Sequence, residues 1–169
     1  MKKLLSVLLV ALLMVGFGSP DLDDKETLDE IIAEAIDRDA LQERGEEGEE
    51  LYYAPNEQTP YTGWAKGMYD NGQVRQLGQF KDGKQDGLAT RWYENGQKMG
   101  EVISYKDGKV NGLLTLLHEN GQKKSDINYK DGKFDGLWVN WYENGQKRSE
   151  ANWKDRKQDG LATRWYKDG

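Results

Sequence analysis

Cysteine is absent from the 169 residues. No disulfide framework, thiol nucleophile or Cys-based metal site is available, so small structural units must be held by sheet pairing and side-chain packing alone. Histidine occurs once, at His118, and any Ser/His/Asp set would rest on that single residue. No catalytic, metal or cofactor-binding residues are assigned, and no cofactor is expected. Lysine and arginine form no basic run; they are spaced among acids, which gives no footprint for nucleic acid. The glycines fall between strand-like runs and not ahead of a helix, so no phosphate-cradling loop is present. No apolar run is long enough for a permanent transmembrane helix, because Leu4 to Val15 falls well short of the roughly 20 residues a bilayer requires.

That short run has another use. Lys2 and Lys3 precede it, and the small residues Gly16 and Gly18 follow before Ser19-Pro20, the pattern of a secretory signal peptide over residues 1–18. Leu13-Met-Val-Gly16 also approaches a lipobox, but Phe17 stands where lipidation requires cysteine. The expectation is an exported, periplasmic or envelope-associated protein without a lipid anchor at that position.

Charge then divides the remainder. Residues 21–50 hold 14 acids and 3 bases, whereas residues 51–169 hold 16 acids and 19 bases. An acidic linker over 19–50 followed by a near-neutral working domain over 51–169 accounts for this split. Within the linker, Leu28, Ile31, Ile32, Ala35, Ile36, Ala40 and Leu41 recur at three- and four-residue steps and predict an amphipathic helix over about 27–44. Thr27 and Glu30 offer a capping box and Gly45 a stop. Glu46 to Glu50 is expected to be extended by like-charge repulsion. Leu51 to Tyr53 reads as a strand, with Pro55 and Pro60 in the loop after it.

The working domain repeats. Gly136-Leu-Trp-Val-Asn-Trp-Tyr-Glu-Asn-Gly-Gln-Lys147 has its opening Gly-Leu copied at Gly87, Gly112 and Gly160, with Gly63-Trp64 a looser copy, at intervals of 24 or 25 residues. A period of that size marks an array of small units that bury their apolar faces on one another. Each unit carries two strand-like runs separated by Asn-Gly or Asp-Gly, for which type I′ turns are expected. The predicted class is all-β: an elongated, single-layer antiparallel meander of repeated hairpins, preceded by the signal segment and the acidic helix. One residue is inserted within Gln97 to Tyr105, which predicts a β-bulge near Met99-Gly100. Arg156 replaces the turn glycine found at Gly83, Gly108 and Gly132, so the last repeat is expected to be the least ordered.

Aligned on their turns, the copies give aromatic columns: Met68/Trp92/Leu117/Trp141/Trp165 on one face, Ala65/Ala89/Leu114/Trp138/Ala162 on the other. Tyr69/Tyr93/His118/Tyr142/Tyr166 closes each first strand, and Phe80/Tyr105/Tyr129/Trp153 lies on the second. His118 stands in a tyrosine column and is read as a tyrosine substitute. Acid pairs such as Asp82 and Asp86 or Asp131 and Asp135 are too few, and interrupted by lysine, for a calcium loop, so they are read as turn residues. The candidate interaction surface is Trp92, Trp138, Trp141, Tyr142, Trp153 and Trp165. Positions where copies differ, such as Trp138, Asn140 and Arg148, are where specificity is expected.

Gly-Leu-x-x-x-Trp-Tyr-Glu-Asn-Gly-Gln-Lys followed by Tyr-Lys-Asp-Gly-Lys-x-x-Gly resembles the bacterial variant of the MORN repeat, over about residues 61–169, and is similar to repeats of YwqK-family antitoxins. The resemblance implies an elongated sheet of hairpins without catalytic activity, acting in protein binding, assembly or membrane-associated scaffolding. A protein partner, a membrane surface, and self-association through the C-terminal edge strand are the expected partners. An antitoxin-like protein masking a toxin, and an envelope lipid- or carbohydrate-binding module using the aromatic columns, are the alternatives.

Overall fold

Glycine after asparagine or aspartate turns this chain, and the strands between those turns pair in sequence order. The computed structural model describes residues 19–100 and 103–168; the segment read as a signal peptide lies outside them. The chain divides into two units at Ala35 and Ile36. The first holds helix α1 (Lys25–Glu34), whose N-cap is Asp24: its carboxylate accepts from Thr27 N at 2.8 Å. The cap is therefore not the Thr27–Glu30 box. Nor does the helix continue to residue 44. Its C-cap, Ala35, has extended dihedrals, and the following residues find strand partners that outweigh their helical spacing. No helix among the described residues is long and apolar enough to cross a membrane.

The second unit opens at Ile36, ahead of the expected boundary at 51. Strand β1 (Ile36–Asp37) pairs in parallel with β4 (Gly63–Met68), Ile36 opposite Ala65. A single 3-10 turn at Arg38–Ala40, capped by Asp37, leads to β2 (Gln42–Arg44). Strand β2 forms a hairpin with β3 (Leu51–Tyr53). Glu46 to Glu50 is thus part of a hairpin loop and not extended: Glu49 N donates to Glu46 O, and Gly48 takes φ +89°.

The array follows as β5 (Val74–Lys81), β6 (Lys84–Arg91), β7 (Ile103–Lys106), β8 (Lys109–Val110), β9 (Gly112–Leu117), β10 (Lys123–Lys130), β11 (Lys133–Trp141), β12 (Lys147–Lys154) and β13 (Lys157–Arg164). One sheet runs β1-β4-β5-β6-β7-β8 and another β9 to β13 in order, so the expected antiparallel meander of two strands per repeat is present. The two sheets divide between β8 and β9. The expected bulge borders 101 and 102, which lie outside the described residues. On either side of it Gly100 bridges Leu116, and Tyr105 pairs with Gly87 as Phe80 pairs with Gly63. The faces are thereby back in register.

Two kinds of turn alternate. Asp82-Gly83, Asp107-Gly108, Asp131-Gly132 and Asp155-Arg156 have positive φ at both residues, as a type I′ turn requires. Arg156 keeps the glycine conformation, at φ +67°. The Asn-Gly turns differ from the expectation: the glycines, Gly72 at +83° for example, have positive φ, but the asparagines do not. Gly72 N donates to Tyr69 O, and Tyr69 N donates to Gln73 O, the pattern of a type I turn closed by a bulged glycine. The asparagine is used through its side chain instead, Asn71 Oδ1 accepting from Gln73 N at 2.9 Å.

The repeated Gly-Leu marks a second bulge. Phe80 and Gly78 on β5 pair with Gln85 and Ala89 on β6, leaving Asp86-Gly87-Leu88 opposite Gln79. Gln79 Oε1 fills the gap and accepts from Leu88 N at 2.8 Å. Gly87 has φ +100°, which favours glycine, and a Cβ there would lie 2.1 Å from that oxygen and displace the Gln79 side chain. The core is densest in the first sheet: Trp64, Ala65, Leu77, Phe80 and Ala89 are buried, whereas every residue of β13 is exposed.

Candidate interaction face

Successive repeats are stitched at both ends of their strands. At one end the tyrosine column donates to a carbonyl of the next repeat: Tyr69 Oη to Trp92 O at 2.7 Å, Tyr93 Oη to Leu117 O at 3.0 Å and Tyr142 Oη to Trp165 O at 3.0 Å. His118 Nε2 meets Trp141 O at 3.1 Å in the same place. Asn71, Asn120 and Asn144 add a parallel set, their Nδ2 groups donating to Glu94, Glu143 and Lys167 carbonyls. At the other end Asp86 Oδ2 accepts from Asp107 N at 3.0 Å, as Thr62 Oγ1 accepts from Asp82 N. These acids organise turns. Exposed ion pairs Lys133–Asp155 and Lys154–Asp135 lie beside them, holding the Asp155 carboxyl below and the Lys154 ammonium above their ordinary pKa values.

With backbone and turns so committed, the side chains left to face outward differ between the two sheets. Trp92, expected on the surface, is buried at 7% exposure and belongs to the core. Trp138 and Trp153 come together as neighbours across β11 and β12, ring centroids 5.6 Å apart. Phe134 joins them at 5.0 and 5.8 Å, and Tyr129 packs on Phe134 at 5.1 Å. Burial raises the Tyr129 pKa. Phe134 was not among the expected residues; its signal was a column, Gln85/Val110/Phe134/Gln158, in which one copy alone is aromatic.

Asn140 links this cluster to a polar row. Its Oδ1 accepts from Trp138 Nε1 at 3.0 Å and Ser125 Oγ at 2.7 Å, and its Nδ2 donates to Ser149 Oγ at 2.9 Å. Ser149 pairs with Arg164 on the same face. A concavity of ≈ 190 Å³ lies over Trp138, Asn140, Ser149, Trp153 and Arg164. A wider one of ≈ 650 Å³ continues past Arg148 to Tyr142, Trp165 and Tyr166. Arg148 lies 5.7 Å from the Tyr142 ring centroid. The differing positions Trp138, Asn140 and Arg148 therefore border one connected surface.

Trp141 and Trp165 do not share that cluster. Lys123 Nζ lies over Trp141 and Lys147 Nζ over Trp165, each at 5.7 Å, while the two lysines bond Asp126 and Glu150. Cation–π contacts of this kind contribute about 0.5–1 kcal/mol at exposed sites. These two indoles serve the array first.

Residues 85–107, 110–131 and 134–155 each match the family model described as MORN repeat variant. No curated protein matches the chain. The matched segments run from β6 to β12 and contain the aromatic cluster of Tyr129, Phe134, Trp138 and Trp153. Repeats of this kind are generally protein- or membrane-binding modules and non-catalytic. Between residues 85 and 155 the chain is thus similar, in three successive copies, to the MORN repeat variant.

Proposed function

We propose that this chain is a non-enzymatic, exported bacterial repeat protein, similar in its repeats to the YwqK-family proteins, that binds a protein partner at the cell envelope. The observation that carries the reading is the open face at Phe134, Trp138, Asn140, Ser149 and Trp153, where aromatic rings and a fixed hydrogen-bonding row lie side by side. Half-buried indoles with a polar neighbour supply large contact area at small entropic cost, the composition of binding hot spots. Export rests on Lys2-Lys3, the apolar Leu4 to Val15 and the small residues after it. A mature N-terminus near Ser19 in an extracytoplasmic fraction supports it and argues against the antitoxin-like alternative, which needs a cytoplasmic protein.

Affinity capture from envelope and cytoplasmic fractions, run in parallel with Trp138→Ala and Asn140→Ala, tests the binding face. A partner retained by the parent chain and lost from both variants, with circular dichroism unchanged, is the expected result. Retention by both variants sinks the assignment. The same indole–amide arrangement favours a second reading, a carbohydrate module: a saturable change of tryptophan fluorescence with glycan, abolished in Trp138→Ala, would replace the protein partner by a sugar.

A further inference from the structure

We infer that the protein partner brings to this face an acidic, aromatic segment: a ring set against Trp138 and Trp153, and carboxylates received by Arg148 and Arg164. The inference rests on the binding face proposed above and names what that face selects. Its first support is a covering that the chain provides for itself. Phe80, Gly78 and Gln76 on β5 stand where Trp153, Ala151 and Ser149 stand on β12, because their partners Gln85, Ala89 and Arg91 correspond to Gln158, Ala162 and Arg164. Phe80 is 1% exposed. Tyr52 of β3 meets its ring edge-on at 5.5 Å, and the Arg38 guanidinium lies 5.5 Å from its centroid. Trp153 is half-buried, and its ring neighbours among the described residues, Phe134 and Trp138, belong to its own sheet. A polypeptide segment bearing a tyrosine thus already sits on this column in one repeat.

Strand alternation sorts the charges. Ser125, Asn140, Ser149 and Arg164 pair across β10 to β13 in one row. The next row, Asp126, Val139, Glu150 and Thr163, is one residue out of phase and faces the other way. Asp126 and Glu150 are thereby taken from the aromatic face, where they bond Lys123 and Lys147 instead. Arg148 is the bulged residue between Lys147 and Ser149, and with Arg164 it borders the same concavity as Asn140. Neither guanidinium has a carboxylate partner among the described residues.

Hydrogen-bond bookkeeping points the same way. Trp138 Nε1 only donates, which fixes Asn140 Oδ1 as its acceptor. Ser125 Oγ donates to that oxygen as well, and Asn140 Nδ2 spends one hydrogen on Ser149 Oγ. Left over are the second Asn140 N–H, the Ser149 O–H and the two guanidinium groups, all of them able to donate. A ligand that satisfies this row brings acceptors, and arginine favours carboxylates for their matching planar geometry. Trp138 and Asn140 are two residues apart on one strand, about 7 Å, so a ring and a carboxylate two or three residues apart in an extended segment reach both.

The test uses the full chain and a fluorescein-labelled peptide, Tyr-Tyr-Gly-Glu-Glu, read by anisotropy. The chain has a net charge of -6, so binding of an acidic peptide is not general attraction. Affinity should fall about tenfold or more when glutamine replaces glutamate in the peptide, and equally in the double variant Arg148→Gln, Arg164→Gln. Added salt should weaken it too. The double variant Arg148→Glu, Arg164→Glu should reverse the preference toward Tyr-Tyr-Gly-Lys-Lys, a gain that a misfolded chain would not show. No binding by the parent chain overturns the inference, as does equal binding of the glutamate and glutamine peptides or indifference to both arginine variants. Tighter, arginine-dependent binding of polygalacturonate or of phosphatidylglycerol vesicles also overturns it, in favour of a polysaccharide or a lipid surface. Trp138→Ala separates this inference from the reading beneath it. Binding that ignores glutamate but is lost in Trp138→Ala sinks the carboxylate preference and spares the face, whereas arginine-dependent binding untouched by Trp138→Ala sinks the aromatic face itself.

Discussion

His118 offers Nε2 to the carbonyl of Trp141 at 3.1 Å, in the place where Tyr69, Tyr93 and Tyr142 offer hydroxyls to Trp92, Leu117 and Trp165. A carbonyl only accepts, so the imidazole must donate through Nε2. The one histidine is thereby engaged in joining two repeats. His118→Tyr should keep this link and leave stability within about 0.5 kcal/mol of the parent, while His118→Phe should cost about 1 kcal/mol, the net value of a part-buried hydrogen bond. Urea unfolding midpoints distinguish the two.

Thr90 and Thr115 occupy one column but have opposite consequences. Thr115 Oγ1 donates to Asp126 Oδ1 at 2.6 Å, whereas Leu77 stands opposite Thr90, whose buried Oγ1 has no hydrogen-bond partner. Thr90→Val removes an unsatisfied hydroxyl at nearly constant volume and should stabilise by about 1 kcal/mol; Thr115→Val should destabilise by about 1–2 kcal/mol, because Asp126 loses a donor. Thermal melts of both variants, which should move in opposite directions, provide the check.

Much of the array was legible because repeats amplify weak signals. A single Asn-Gly is ambiguous, but four copies at a fixed period placed the hairpins, and the tyrosine column identified what His118 replaces. Three features were hidden. The Asn-Gly turn type depends on the Asn71 side chain capping Gln73 N, which competes with the backbone geometry that Asn-Gly otherwise favours. The residues after Ala35 have helical spacing, yet Ile36 pairs with Ala65 across a long stretch of chain, a tertiary contact that local periodicity does not record. On the candidate face, Trp138 and Trp153 were read from columns, but Trp92 shares its column with the half-buried Trp141 and is itself buried. Alternation assigns a residue to a face and does not say whether that face is covered.

Gly83 and Gly108 turn the chain with nearly equal φ, +79° and +77°, in different surroundings. A Cβ on Gly108 meets nothing within 4 Å, whereas one on Gly83 would lie 2.8 Å from Leu51 Cβ and 2.9 Å from Pro60 Cβ. Gly83 also accepts from Tyr52 N and donates to Tyr61 O, fastening β3 and the loop after it. Gly108→Ala should cost about 1–2 kcal/mol, the penalty of a left-handed residue with a side chain. Gly83→Ala should exceed it by a further 1–3 kcal/mol, roughly the cost of overpacking. Amide exchange should show the excess as lost protection at Tyr52 and Tyr61.

Ionisation of buried tyrosines should destabilise the fold at alkaline pH. Burial raises the Tyr61 pKa above its ordinary 10.0, partly offset by the Ile36 N–H that its oxygen accepts, and burial likewise raises Tyr93 and Tyr129. Tyr61 Oη donates to Trp64 O at 2.7 Å, a bond that ionisation removes. A group whose folded pKa lies above its unfolded one binds its proton more tightly in the native state. Its contribution to stability is complete below the unfolded value and declines as pH rises through the window between the two. Melting temperature should therefore be insensitive to these tyrosines at neutral pH and fall above about pH 10. Tyrosinate absorbance should include a late stage, that of the buried Tyr61, which tracks unfolding. Tyr61→Phe should lower stability at neutral pH, because the Trp64 carbonyl and Ile36 amide lose their partner, and should reduce the steepness of the alkaline decline. An unchanged alkaline profile in Tyr61→Phe would show that other tyrosines set the limit.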